Sequence, residues 1–512
     1  MKRSTFLAAA LVLGLPFGCA EELQPKYSIL ILGPSGQDPF FDATRVALEI
    51  GGAERAVQMI TPGEPFSLSL EGIRPKPNEI ETIGITAFNA AGIPVAHGES
   101  PPLEILATPT AVAVSVFVQR YGTFAPGYGQ LEPALRHMAV TSIPASSSSN
   151  TYDVPFVFGG EYFVFNQDGT FASQVLDSAF VFNPALHAFE FELGAKSVAP
   201  RYGAAIVATR TGSAIAFGGK TAGANAPFSG LAEAYTLQRL SPVDIGIVPA
   251  PPMSSPDPGV ARAYAAMAEA DVVYAFGGIG RAPTGDTIAL DTIVRIDPAN
   301  PTPSAALSVL STKMAGARKD LTATRTVTPG ANSTTPAILI FGGLDPTSTA
   351  SAAELFVPTP TPSLIPLVNE GGNRIAHSAL LVPDGRILLI AGANSDGSVR
   401  GDVVAYNSNT GTFTPAGFAL AVPRRDATAF VAGNELVVSG GRDQAGTPIA
   451  TVEIFDLSTV PFTALPTQTG AARYGAGVAR MPDKKTILVV GGTQKPAAEE
   501  LPSGAVEFYL PR

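Results

Sequence analysis

The sequence predicts an all-β chain in which one small sheet is repeated seven times around an axis. Seven short apolar runs end in a glycine pair or its degenerate form: Phe158-Gly159-Gly160, Phe217-Gly218-Gly219, Phe276-Gly277-Gly278, Phe341-Gly342-Gly343, Ala391-Gly392-Ala393, Ser439-Gly440-Gly441 and Val490-Gly491-Gly492. Each run lies downstream of an arginine that opens an earlier strand: Arg136, Arg201, Arg262, Arg318, Arg374, Arg424 and Arg473. Units of roughly 50 to 60 residues that hold several short strands mark a radially repeated β architecture. No long helical period interrupts them.

The chain starts with a charged Met1-Lys2-Arg3 and an apolar run from Phe6 to Phe17. That run is shorter than the ~20 residues a membrane-spanning helix needs. It ends at Gly18-Cys19-Ala20, and Cys19 is the sole cysteine of 512 residues. The segment resembles a bacterial lipoprotein signal, which implies removal of residues 1–18 and acylation of Cys19. Pro16 and Phe17 depart from the usual motif before the cysteine. An ordinary secretory signal with an incidental cysteine is the alternative, but without a second cysteine no disulfide can account for Cys19. Ala20 is not an inner-membrane retention residue, so the resemblance implies the outer membrane. Residues 19–25 read as a tether.

Residues 26–107 form a separate module. Tyr27 to Leu32, Thr44 to Ile50, Pro65 to Leu70, Ile80 to Asn89 and Leu103 to Leu106 alternate or run apolar between Gly, Pro and Asn. This spacing predicts a small antiparallel sandwich of immunoglobulin-like type, acting as a spacer.

Residues 110–512 carry the repeat. Arg262 to Ala268 is a small-residue strand, and Asp271 to Phe276 a β-branched and aromatic one that stops at Gly277-Gly278. Glycine reaches positive φ without a Cβ penalty and lets a neighbouring segment pass close. Third strands follow, such as Ala234 to Leu237, Glu354 to Val357 and Glu453 to Asp456. An aromatic seven positions on marks a fourth: Phe182 to Phe189, Tyr406 to Phe413, Phe455 to Phe462. The last unit has only three strands, ending in Ala505 to Tyr509. The orphan strand 111–118 is therefore expected to complete it, because an open ring leaves unpaired edges.

These residues resemble the kelch family of β-propellers, with an Arg-started inner strand and a hydrophobic strand ending in Gly-Gly. The resemblance covers 110–512 and implies a seven-bladed propeller. The family's outer-strand tryptophan is missing; the chain has no Trp, and Phe189, Phe413 and Phe462 stand in its place. Phenylalanine fills such a site with less area and no N–H donor. The family's copper radical oxidases need a cysteine–tyrosine crosslink, which a chain whose one cysteine is Cys19 does not supply.

Of the four histidines, His97 falls in the sandwich and His187 on an outer strand. His137 and His377 lie on inner strands of non-adjacent units, a poor metal set without clustered carboxylates. The repeated arginines recur in every unit, as a structural position does. Glu233, Glu354, Glu453 and Glu507 precede third-strand aromatics and are expected to pair with them, since a buried charge needs a partner. A formal net charge of −10 excludes a nucleic-acid surface, which requires a basic stripe. No catalytic residue, cofactor or metal site is assigned. The expectation is a monomeric cell-envelope lipoprotein, with membrane contact through its anchor, presenting the propeller to a protein or glycan partner. The alternative is an extracytoplasmic carbohydrate-active enzyme with its site at the channel mouth.

Overall fold

The apolar runs before the glycine pairs are the second strands of seven four-stranded antiparallel sheets. The computed structural model describes residues 27–66, 68, 80–104, 112–127, 129–146, 151–167, 170–183, 188–190, 197, 199–221, 226–239, 245–330, 332–344, 353–368, 372–494 and 500–512. In chain order, sheet one is Ala139–Ser146, Thr151–Phe158, Ala179–Asn183 and Ala188–Glu190. Sheet two is Ala205–Ala208, Ser213–Phe217, Ala232–Arg239 and Ile245–Pro249, and sheet three is Ala266–Glu269, Val273–Phe276, Thr292–Ile296 and Leu307–Lys313. Sheet four is Lys319–Val327, Pro336–Leu344, Ala353–Val357 and Ser363–Leu367. Sheet five is Ser378–Leu381, Arg386–Ile390, Asp402–Asn407 and Thr412–Ala419, and sheet six is Thr428–Ala432, Glu435–Ser439, Thr451–Asp456 and Thr463–Thr469. Sheet seven takes Gly477–Arg480, Ile487–Val490 and Val506–Leu510 from the end of the chain and Thr123–Pro126 from far upstream.

First strands of successive sheets touch in cyclic order, and that of sheet seven touches that of sheet one. The second strands are buried on both faces, which is why they read as continuous apolar runs rather than alternating ones. Ile215 and Phe217 of sheet two, for example, pack with Val273, Ala275 and Val294 of sheet three. The seven-residue aromatic spacing is direct cross-strand pairing in two cases, Phe182 with Phe189 and Tyr406 with Phe413. Phe462 instead precedes its strand and packs on Phe418, ring centres 5.4 Å apart.

The glycine pairs join each sheet to the next. Gly218 has φ +71°, and a Cβ there would lie 2.4 Å from the Arg262 carbonyl oxygen. Gly219 N–H donates to that same oxygen at 2.8 Å. Equivalent bonds run from Gly160 to Arg201, Gly278 to Arg318, Gly343 to Arg374, Gly392 to Arg424 and Gly441 to Arg473. The last of the series, from Gly492, reaches the carbonyl of Leu135. Two residues beyond each of these carbonyls stands a residue with positive φ: His137, Gly203, Tyr264, Asp320, Ala376, Asp426 and Gly475. Several of these bond to one another around the ring, Gly203 N–H to His137 O, Tyr264 N–H to Gly203 O, Asp426 N–H to Ala376 O and Gly475 N–H to Asp426 O.

Three sequence expectations are corrected. The arginines do not open the first strands: Arg201, Arg262, Arg374, Arg424 and Arg473 each precede the strand by four residues, and only Arg318 abuts one. Arg136 sits one position late in the repeat, for Leu135 occupies the backbone site that arginine fills in the other six units. Strand 111–118 does not close sheet seven. Val112–Phe117 pairs in parallel with Tyr27–Leu32, and its Val114 and Val116, with Val118 just beyond, are buried in the N-terminal core. Thr123–Pro126 closes the sheet instead, in register Thr123 with Leu510 to Pro126 with Glu507.

The N-terminal module therefore runs past residue 107. Its five-stranded sheet has the order Ala53–Met59, Arg45–Ile50, Ile83–Phe88, Pro94–Glu99, Gln119–Arg120. Among the described residues its other strands are a two-residue pair, Ile80–Glu81 with Leu103–Glu104, and the parallel pair. Phe117 and Leu32 pack on Met481, Leu488 and Phe508 of sheet seven. Met481 lies in the turn between the first two strands of that sheet, at the end opposite its glycine pair. The module thus sits at one axial end of the ring, and the glycine pairs lie at the other.

Candidate binding surface at the channel mouth

Six of the repeated arginines are scaffold in geometry. Arg201 pairs with Glu233 and Arg318 with Glu354. Arg424 meets Glu453 and Arg473 meets Glu507, both at 2.5 Å. Arg374 has no glutamate and uses Asp402 at 2.7 Å, a carboxylate also held by Arg400 at 2.8 Å. Arg262 makes no ion pair among the described residues and donates to the carbonyls of Val260, Gly277, Thr292 and Gly259 and to the Thr292 hydroxyl. All six are buried, and burial foremost lowers the pKa of each.

The one-residue offset sends Arg136 elsewhere, toward the mouth of the ring at the glycine-pair end. Its Nε donates to Glu161 at 2.9 Å, and its Nη1 donates to the Glu500 carbonyl at 2.7 Å and carboxylate at 3.1 Å. Glu161 also accepts from the Ser173 hydroxyl and lies 3.4 Å from His137 Nδ1. Burial alone would raise the Glu161 carboxyl. Hydrogen bonds from His137, Ser173 and Arg136, and the Arg136 charge, outweigh it and hold the pKa at about 2.

Tyr474 Oη donates to Glu500 at 2.7 Å, while the Arg442 guanidinium stacks 4.6 Å over the Tyr474 ring and donates to Asp426 at 2.6 Å. Burial, then the Glu500 bond, push the Tyr474 phenol up to about 12. His137 stacks on Tyr202 at 6.0 Å and meets the edge of Tyr264 at 5.9 Å. Among the described residues, Asp320, 3.9 Å from Lys319, is a mouth carboxylate with no hydrogen bond to an arginine, and burial foremost raises its pKa.

A hairpin of Glu161–Phe165 and Phe171–Val175 projects beside this network. Alternation along its strands puts Glu161, Phe163 and Phe165 on one face with Ser173 and Phe171. Arg136 lies 4.9 Å over the Phe163 ring, so that face looks across the mouth. Phe165 and Phe171 meet edge-on at 5.1 Å, yet stay 66% and 57% exposed.

The histidines divide by place. His377 is buried, hydrogen-bonded at 2.9 Å to Thr322 and edge-on to Phe341; burial, helped by the Arg374 charge, drives its pKa down to about 3. His97 bonds Thr86 in the N-terminal module. His187 and Cys19 lie outside the described residues. Among the described residues no three His, Cys, Asp or Glu side chains converge as a metal site.

Sequence reasoning did not single out Glu161, Tyr202, Tyr264, Asp320, Asp426, Arg442, Tyr474 or Glu500 as a site. Most stand one or two places after the repeated arginine, or directly after the glycine pair. Positions whose residues change from unit to unit beside invariant ones were the available signal.

The Kelch motif matches residues 423–459, which span the first three strands of sheet six. A solved structure titled "Structure of YjhT" is similar over 61% of this chain and 95% of its own, with 14% identity and a TM-score of 0.43. No curated protein matches. The motif, placed on one unit of a series of like antiparallel sheets, gives the chain a kelch-repeat fold of propeller type.

Proposed function

We propose that the chain is a binding or scaffold module: a closed seven-bladed propeller on an immunoglobulin-like sandwich, held at the cell envelope by acylated Cys19. Its partner, a protein or a glycan, meets the channel mouth, and the outer membrane is its place by the lipoprotein resemblance. The observation that carries this reading is the state of the mouth carboxylates. Glu161, Glu500 and Asp426 are committed to arginines, and among the described residues Asp320 alone of the four is not. One uncommitted carboxyl group does not make the acid and base pair that glycoside cleavage requires, whereas the committed ones position and recognise. Exposed Phe165 and Phe171 beside Arg136 supply the aromatic and arginine anchors typical of binding hot spots.

The test compares the natural chain with F165S/F171S for retention on a glycan array and for crosslinking to envelope proteins. Loss of one defined ligand in the variant, with unfolding unchanged, supports the reading. Turnover of a glycan by the natural chain, or identical binding by both, overturns it. Metabolic labelling with an acyl-chain analogue tests Cys19 separately: the natural chain should be marked and C19A should not.

A further inference from the structure

We propose that the parallel pair of Tyr27–Leu32 and Val112–Phe117 is a mechanical clamp that keeps the ring joined to its N-terminal attachment under tension. The clamp takes its purpose from the anchoring at Cys19 proposed above, but its mechanics follow from strand order alone.

The chain enters the module at Tyr27, which is in register with Val112; at the other end of the pair Leu32 is in register with Phe117. Beyond Phe117 the chain runs directly through Val118 and Gln119–Arg120 to Thr123–Pro126, the closing strand of sheet seven. A pull between the N-terminus and the ring therefore acts on diagonally opposite ends of two parallel strands, the start of one and the finish of the other. They can separate only by sliding. Sliding strains the evenly spaced bonds of a parallel ladder together, whereas peeling breaks bonds one after another.

Packing supports the same pair. Ile29 and Ile31 lie against a core that includes Val114, Val116 and Val118, and Val118 N–H donates to Leu32 O at 2.8 Å. Past the pair, the junction with the ring is tied side by side. Gln119 Nε2 donates to the Phe508 carbonyl at 3.0 Å, and Arg120 holds Asp42 through two bonds of 2.5 and 3.1 Å. The module is thus coupled to the ring rather than hung from it by a linker.

A neighbouring pair provides the contrast. Pro94–Glu99 runs antiparallel to Gln119–Arg120, with Ala96 opposite Arg120 and Tyr121 N–H bonded to Val95 O. A pull between the exposed turn at Ala91 and the ring enters and leaves this pair at the same end, so it unzips.

Single-molecule pulling on the full, unacylated chain tests the clamp. One construction carries handles at Cys19 and at an A445C thiol on an exposed mouth loop. The other carries C19S with handles at A91C and A445C. The first should rupture at clearly higher force than the second at equal loading rate. Its first release should lengthen the chain by roughly 300 Å, the extended span of residues 27–118. Equal or lower force in the first geometry overturns the proposal, as does a first release of the length of one ring sheet. The anchor is read independently by acyl labelling of Cys19, so a failed anchor and a failed clamp give different results.

Discussion

Replacing Arg473 by methionine keeps most of the side-chain volume and removes the charge, and the structure allows the cost to be worked out. Arg473 is 1% exposed and donates to the carbonyls of Gly491, Ala505 and Val489 and to Glu507. R473M strands the buried Glu507 carboxylate, which among the described residues still accepts from the Ala471 N–H at 2.7 Å. Breaking a buried pair from one side costs about 3–5 kcal/mol. R262M is the control, since Arg262 bonds only carbonyls and a hydroxyl. It orphans acceptors without stranding a charge and regains the desolvation of the guanidinium, so about 1–3 kcal/mol is expected. R473M/E507Q should recover part of the R473M loss, because the stranded charge is gone while the Ala471 bond persists. Urea unfolding at neutral pH, read by circular dichroism, measures all three. If R262M is the worse of the singles, or if the double variant is no more stable than R473M, the ion-pair account of the scaffold is wrong.

Three further outcomes are expected. Glu161 should make stability acid-sensitive. Its folded pKa is depressed from 4.5 to about 2, so its contribution is present above pH 4.5 and lost as pH falls toward 2. The contribution is worth roughly 3 kcal/mol, and E161Q should flatten the unfolding profile in that window. Gly440→Ala should destabilise by about 1–2 kcal/mol or more, because φ is +65° and the new Cβ falls 2.3 Å from the Arg473 carbonyl oxygen. A391G, at φ +58° in sheet five, should be neutral or stabilising, and differential scanning calorimetry of both variants checks the pair. Deleting Thr123–Pro126 should expose the edge of Val506–Leu510 and produce aggregation detectable by light scattering; a soluble monomer with an unchanged melting curve would contradict the closing role of that strand.

The ring was legible because its markers are geometric requirements. Only glycine fits easily where φ is positive and a carbonyl lies within 2.4 Å, as at Gly218 and Gly277, so the pairs recur unit after unit. Five of the arginines, Arg262, Arg318, Arg374, Arg424 and Arg473, donate to the carbonyl exposed where the glycine pair or its degenerate form ends the strand, so the residue type recurs with the turn. The frame at the first unit was not legible, because Arg136 is the expected residue type one place late. Alternating valines identified 111–118 as a strand but could not name its partner, since pattern specifies a buried face and not a neighbour. Thr123–Pro126 is too short to show a period. Ala53–Met59 and Pro94–Glu99 were missed for a related reason, the first being a largely exposed strand with little apolar contrast. The mouth was illegible as a site because its residues do not repeat. Tyr264, Ala376 and Asp426 occupy one backbone position but share no chemistry, and only the ring brings such positions together.

Sheet seven pairs Thr123 with Leu510, residues separated by most of the chain. During synthesis at about 5–20 residues per second, the early strand waits roughly 20–80 s for its partner to exist. The ring cannot shut until then, so every earlier sheet is made while a hydrogen-bonding edge stands open. Loop closure over such a length adds an entropic barrier that grows only with the logarithm of the separation. Delay, more than energy, is the hazard. Prior docking of Gln119–Arg120 onto Pro94–Glu99 limits it, because the N-terminal module can fold first and hold the early strand beside the place where the last sheet will form.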